Sequence, residues 1–302
     1  MRPNGFDWVK GGFGLFSRPM NYRQAYHAGN HADVLKHAVL ARLIEYLSVK
    51  EKPFAVLDAH AGIGAYDLLG PEASKTGEWG QGIGLMQLPF ADDVETVLAP
   101  YRRAIAAVNA GGDLRFYPGS PDIILQGMRT GDRLIVNELH PKDAETLAMT
   151  YTDERRLHVS VADALRAVKA HLPFTERRGL VLLDPPYEAV DETARVMQML
   201  AQGQRRFATG IFVIWYPVTT EAFVENFLDA VVALRIGNIL QAELRVNNAY
   251  EASGLSGSGL LIVNPPFTLE GELNVLFPAL AKRLGVQGMG RGNVSWLTPP
   301  KG

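Results

Sequence analysis

Asp184-Pro185-Pro186-Tyr187 stands directly after the unbroken apolar run of Gly179–Asp184 (GLVLLD). These residue types suit one difficult reaction. The exocyclic amine of adenine is a poor nucleophile, because its lone pair is delocalised into the ring. A carboxylate and a backbone carbonyl at a strand end can both accept its hydrogens. That favours a tetrahedral nitrogen with its lone pair directed at an electrophile. Two prolines stiffen the turn and fix the acceptors in place. The tyrosine ring offers a face on which a flipped-out base can stack. Asp184, Pro185 and Tyr187 are therefore the expected catalytic group. The plainer reading is a proline-rich stop after a strand with an incidental acid.

Other residues fit the second reactant. Asp58-Ala59-His60-Ala61-Gly62-Ile63-Gly64 is a glycine turn after an apolar run, where a cofactor can approach the backbone closely. It falls short of the full G-x-G-x-x-G pattern, and its weight comes from combination. Glu138 closes a second apolar run and could chelate ribose hydroxyls. Asp163 closes a third and could accept from a cofactor adenine amine. Helix capping explains one or two strand-end acids, but explains four beside a glycine turn less well. Ser120-Pro121 opens a helix, as a cap or as a seat for a carboxylate. Asn264-Pro265-Pro266-Phe267 repeats the form of 184–187. It is expected at the sheet edge with no crossover helix after it, and is read as a structural turn. His27 and His31 have i,i+4 spacing, but Gly29-Asn30 separates them and no HExxH occurs. No metal centre is expected.

These residues need elements to hold them. Asn30 is a plausible N-cap for a helix carrying Leu35, Val39, Leu43, Ile44 and Leu47, which should stop before Lys52-Pro53. Strands are expected at 54–58, 133–138, 157–163, 179–184, 211–216, 239–246 and 258–263. The last two form an antiparallel pair joined by the Gly/Ser-rich 253–259 loop. Helices fit 120–129, 141–150, 163–171, 191–204 and 219–233. The pattern is an open α/β fold, a mostly parallel seven-stranded sheet with an antiparallel edge. Glu138 follows Gly64 by 74 residues, where a dinucleotide-binding unit needs roughly 20. A small helical subdomain is therefore expected as an insertion at about 66–115, with a helix at 92–109.

Composition sets the outer limits. The chain has 302 residues, 47% hydrophobic, 21% charged, with no Cys and a formal net charge of −2. A disordered chain, a disulfide scaffold and any Cys-ligated metal are excluded. No 18-residue apolar run exists, and 1–19 lacks the apolar core of a secretory signal, so a cytoplasmic protein is expected. Residues 1–19 read as an extension outside the fold, which is expected to occupy 20–302. Residues 1–52 carry eight Lys/Arg against four acids, whereas 53–100 carry one against seven. A polyanion would meet the N-terminal segment first. A local basic face is expected from that segment and from the pairs Arg177/Arg178 and Arg205/Arg206.

Seven blocks in this order resemble a known group. Asn21–His37 (NYRQAYHAGNHADVLKH) is similar to the N-terminus of the bacterial large-subunit ribosomal RNA adenine-N(6) methyltransferases of the RlmJ type. So are DAHAGIGAY (58–66), YPGSP (117–121), NELHP (137–141), RRGLVLLDPPYE (177–188), RFATGIFVIWYP (206–217) and SGLLIVNPP (258–266). The likeness runs from Met20 nearly to the C-terminus and is broken mainly at 66–115. It implies a class I, Rossmann-like, S-adenosylmethionine-dependent methyltransferase acting on one adenosine of 23S rRNA, with no obligate protein partner. It implies cofactor contacts at His37, His60, Ser120, Glu138, Asp163 and Ala164, a catalytic acceptor at Asp184, and an RNA contact at Tyr22. Ala164 replaces a frequent Gly, which a backbone contact tolerates. The competing readings are a DNA adenine-N(6) methyltransferase and a non-catalytic RNA-binding factor on the same fold. Against the first, little chain remains for a target-recognition domain.

Overall fold

A computed structural model describes residues 26–247 and 255–300. Asn30 caps the first helix, α1 (His31–Val49), by accepting from the Ala32 and Asp33 amides. The chain then turns at Lys52-Pro53 into β1 (Ala55–Asp58), which is buried throughout. The following segment holds β2 (Ala65–Asp67), α2 (Pro71–Thr76), α3 (Asp92–Val108) and β3 (Phe116–Pro118). β2 and β3 pair antiparallel and close the insertion at its base. Alternation resumes with α4 (Ser120–Gly127), β4 (Arg133–Asn137), α5 (Pro141–Thr150), β5 (Leu157–Ser160), α6 (Ala164–His171) and β6 (Gly179–Leu183). It continues through α7 (Glu192–Arg206), β7 (Ile211–Val218), α8 (Glu221–Ala233) and β8 (Ile239–Arg245). β9 (Gly257–Val263), α9 (Leu269–Leu284) and β10 (Arg291–Thr298) complete the described chain.

The main sheet has the order β10-β8-β9-β7-β6-β1-β4-β5. β5, β4, β1, β6 and β7 run parallel, and β9, β8 and β10 extend them by antiparallel pairing. This is the expected Rossmann-like α/β arrangement, with one correction: the sheet is eight-stranded, not seven. The additional strand, β10, reads RGNVSWLT and is mostly half-exposed. It lies at an edge, so only one side is paired and no apolar run is needed.

Two apolar layers cover the sheet. One gathers α1, α3, α4 and α9 against Val56, Leu134, Leu180, Val213 and Leu260. The other gathers α6, α7 and α8 against Leu57, Val181, Leu183, Phe212 and Tyr216. The insertion shares the first layer: Val94, Val97, Leu98, Tyr101 and Ala104 of α3 pack among α1, α4 and α9 residues. No helix among the described residues is long and apolar enough to cross a membrane.

The expectation for Asn264 needs a changed reason. β9 lies inside the sheet, between β7 and β8, and α9 follows it. Val263 pairs with Phe212, at the start of β7. Asn264 therefore sits at the end of the sheet opposite Asp184. Its amide nitrogen donates to the carbonyls of Ala208 and Gly210 at 2.9 Å, and its φ is 53°. It remains a structural turn, by strand direction rather than by an edge position.

Because Leu98 is fully buried in the shared layer, Leu98→Ala should cost about 3 kcal/mol. Denaturant unfolding should remain a single transition with an unchanged m-value. Separate melting of the insertion would contradict a common core.

Candidate active site

The C-terminal ends of the parallel strands lie along one edge of the sheet, and β1 stands where the order reverses. That is where open α/β sheets bind ligands. Asp58, Glu138, Asp163 and Asp184 all fall on this edge.

Asp184 follows β6 at once. Its carboxylate accepts from the Lys36 ammonium, which also donates to Asp33 at 2.9 Å. Asp33 is closed off further by the Gly29 amide at 3.0 Å. Lys36 and Asp33 are buried, while Asp184 keeps 11% of its side chain exposed. Burial opposes the charge on Lys36, but Asp184 and Asp33 outweigh it and hold the ammonium above the ordinary lysine range. Burial raises the Asp184 pKa, and Lys36 pulls it back. The result is a carboxylate anchored on one side and partly open on the other.

In the sequence Asp33 stands out only as a first-turn acid, and nothing marks Lys36. Their i,i+3 spacing inside the continuously buried stretch 32–41 was the available signal. A buried lysine requires a charged partner. The identity of that partner, 148 residues away, was not readable.

His60 and Ser120 join the same cluster. The Asp184 amide donates to His60 Nδ1 at 3.2 Å, so that nitrogen is the acceptor and Nε2 carries the proton. Burial pushes the His60 pKa down to about 4 and keeps the ring neutral. Asp58 is fully buried. It accepts from the Ser120 hydroxyl at 2.6 Å and from the His60 amide at 3.2 Å. Ser120 is thus the first helical residue of α4 rather than its side-chain cap; Gly119 occupies the cap position. Burial drives the Asp58 pKa up to about 7, with Asp184 adding to the rise. Gly119 donates to the Gly64 carbonyl at 2.6 Å, and a Cβ on Gly119 would meet that oxygen at 2.3 Å. The turn after β1 and the start of α4 are therefore locked together.

Glu138 follows β4 and accepts from the amides of Gly62 at 2.9 Å and His140 at 2.8 Å. Burial raises its pKa. Leu139 and Val161, beside Glu138 and Asp163, expose apolar side chains on this edge. Asp163 caps α6 through the Leu165 and Arg166 amides and also accepts from Arg195. Ala164, the first residue of α6, has an amide with no acceptor inside the helix. His37 is turned away beneath the edge: its Nδ1 meets the Tyr117 hydroxyl at 2.8 Å and its ring stacks on Tyr117. Burial lowers its pKa to about 3.

Pro185 is buried, and Tyr187 has φ of 53°, a conformation costly for a residue with a side chain and held only by surrounding contacts. Those contacts are visible. The Tyr187 hydroxyl donates to the Trp215 carbonyl at 2.8 Å, and Trp215, Phe223 and Phe227 meet its ring edge to face. Tyr22 lies outside the described residues. Arg177, Arg178, Arg205 and Arg206 are at the wrong end for the expected basic face. They precede β6 and β7, and Arg178 binds the carbonyls of Leu47 and Lys52.

A family model described as ribosomal RNA large subunit methyltransferase D, RlmJ, matches residues 51–298. The ribosomal RNA large subunit methyltransferase J of Haemophilus influenzae is 42% identical over 281 residues, covering 93% of this chain and 99% of that protein. Its Escherichia coli namesake is 41% identical over 280 residues, with the same coverage. A crystal structure of a Legionella pneumophila protein is 32% identical with a TM-score of 0.81, covering 89% of this chain and 98% of that one.

Two variants test the electrostatics. Lys36→Met leaves Asp33 and Asp184 facing each other without a counter-charge. It should cost about 3–5 kcal/mol at pH 8, read from denaturant midpoints. Asp58 has a folded pKa of about 7 against about 4 unfolded. Its contribution to stability is complete below about pH 4 and is lost as pH rises through about 7. Asp58→Asn should flatten that part of the stability–pH curve. An unchanged curve would show that Asp58 ionises normally.

Proposed function

This chain belongs to the RlmJ family of large-subunit ribosomal RNA methyltransferases, and from that premise we propose that it methylates the N(6) amine of one adenosine in 23S rRNA. The methyl donor is S-adenosylmethionine, and the enzyme works as a monomer in the cytoplasm. The observation that carries the reading is the anchored Asp184 carboxylate at the head of the DPPY turn, on the ligand-binding edge of the sheet.

The residues fit such a donor. Glu138 is held by two backbone amides and keeps lone pairs for two ribose hydroxyls. Leu139 and Val161 supply apolar surface beside it for a ring. The Ala164 amide is a donor at the same edge. Asp163 is already shared between a helix cap and Arg195, so it would accept from an adenine amine only alongside them. The Ser120 backbone amide in the first turn of α4 and His60 Nε2 offer donors nearer Asp184, at the end suited to an amino-acid group, while the Ser120 hydroxyl is given to Asp58. His37 supports this wall from beneath, through Tyr117.

When bound, S-adenosylmethionine supplies an electrophilic methyl group on a sulfonium; transfer to the amine leaves the thioether and releases one proton. Asp184 and the Pro185 carbonyl accept the two amine hydrogens and turn the nitrogen lone pair outward. Lys36 opposes the rise that burial imposes on the Asp184 pKa and keeps the carboxyl group aimed. His60 stays neutral and holds the Asp184 backbone in place. Tyr187, locked at its hydroxyl, presents a fixed ring to the extruded base. Tyr22 completes the RNA contact. The enzyme's contribution is orientation and exclusion of water rather than acid catalysis.

Labelled S-adenosylmethionine and 23S rRNA lacking the mark should yield N(6)-methyladenosine on nucleoside analysis. Asp184→Ala should lower kcat by about 100-fold or more, with cofactor affinity retained. Methylation of duplex DNA in preference to rRNA would favour the DNA reading. Cofactor binding without transfer to either would favour a non-catalytic role.

A further inference from the structure

The catalytic edge continues beyond the cleft across the antiparallel extension. There one row carries an arrangement that folding alone disfavours. Val218, Gly257, Arg245 and Arg291 form a single cross-strand line over β7, β9, β8 and β10. Arg245 and Arg291 are direct partners, so their side chains leave the same face with Cβ atoms about 5 Å apart. Like charges so placed repel each other. Glu243, on the same face, accepts from Arg245 Nε at 2.7 Å with one oxygen and from the Tyr216 hydroxyl at 3.0 Å with the other. Arg291 is exposed, and no ion pair joins it to another of the described residues.

The position of Arg291 is also fixed. A Cβ on Gly290 would meet the Ala281 carbonyl oxygen at 1.9 Å, and one on Gly292 would meet the Phe277 carbonyl oxygen at 2.6 Å. The glycines on either side of Arg291 thus clamp the start of β10 against α9. Protection of an edge strand would be met by one charge and does not call for two arginines in register. At this end Asp58, Glu138, Asp163 and Asp184 close the parallel strands and Glu192 and Glu221 open α7 and α8, while Lys36 and Arg195 are taken up by Asp184 and Asp163. A polyanion that crosses the antiparallel extension needs a cationic foothold of its own there.

We propose that Arg291, with Arg245 beside it, binds a backbone phosphate of the substrate RNA flanking the target adenosine. The proposal rests on the rRNA methyltransferase reading above. A phosphate at the Arg291 guanidinium, beside the Glu243-paired Arg245, gains charge-assisted hydrogen bonds from a cation that no carboxylate of the described residues neutralises. From β6 to β10 are four strand spacings, which with the offset along the strands puts the pair about 20 Å from Asp184. That is the reach of a strand continuing past an extruded base.

Binding of an unmodified 23S rRNA transcript should be measured against salt for the parent, Arg291→Ala, Arg291→Glu and Arg291→Lys, with Arg206→Ala as a control at the opposite end. Arg291→Ala should weaken binding about fivefold near 0.1 M salt and reduce the log–log salt slope by about 1. Arg291→Glu should weaken it further, and Arg291→Lys should recover most of it. KM for RNA should rise while kcat and cofactor affinity hold, and the melting temperature should not fall. Unchanged affinity and slope in Arg291→Ala would overturn the proposal. So would a loss explained by a lower melting temperature, or a change confined to self-association. Failure of the parent to methylate the transcript would instead overturn the functional reading, since the binding series stands apart from transfer.

Discussion

A lysine buried between two aspartates organises the reactive end of this protein. Lys36 projects from α1 to Asp33 on its own helix and to Asp184 at the tip of β6. Three charges enter the low-dielectric interior together, and removal of the lysine would leave two carboxylates without a counter-charge. The pairing ties α1 to the tip of β6 across the sheet. It also acts on Asp184: burial pushes that carboxyl's pKa up, and the ammonium works against the push while holding one oxygen in place. The turn that follows is then stiffened by two prolines and by the aromatic packing around Tyr187.

Strand direction sorts the charges of the whole molecule. Helix N-termini carry a partial positive charge and attract acids, whereas C-termini attract bases. In the parallel part of the fold, both sets of ends align. Acids accordingly open α4, α5, α7 and α8 near the cleft, and Lys169, Arg205 and Arg206 close α6 and α7 at the far end. The near-neutral sum of charge conceals this polarity. The antiparallel extension escapes the rule, since its strands return in the other direction, and it places arginines on the acidic edge.

Local chemistry was legible in the sequence, whereas meetings between distant segments were not. Asn30 as a cap, the strand-end acids and the apolar run before Asp184 each follow from neighbours in the chain. β10 escaped because an edge strand needs only a half-apolar pattern. α9 escaped because Pro278 and the prolines at 265–266 read as breaks, although Leu269, Leu273, Leu276, Phe277 and Leu280 lie on one buried face. Ser120 was placed at the right helix start, but its hydroxyl serves Asp58, a partner 62 residues away. The arginine pairs were expected to help build a basic face for RNA, yet the end of the sheet they occupy depends on strand direction, which charge counts do not contain.

The stretch between β1 and α4 looks like a removable ornament in the sequence, and its packing makes it otherwise. Leu98 and Tyr101 of α3 fill space among α1, α4 and α9, and the ribbon at its base ends in the Gly64–Gly119 contact that locks the glycine turn. The segment cannot be grafted or pruned as a module. Cutting it out would open the core beneath it and unlock the glycine turn at once, so a change of length is tolerable only in its outer loops.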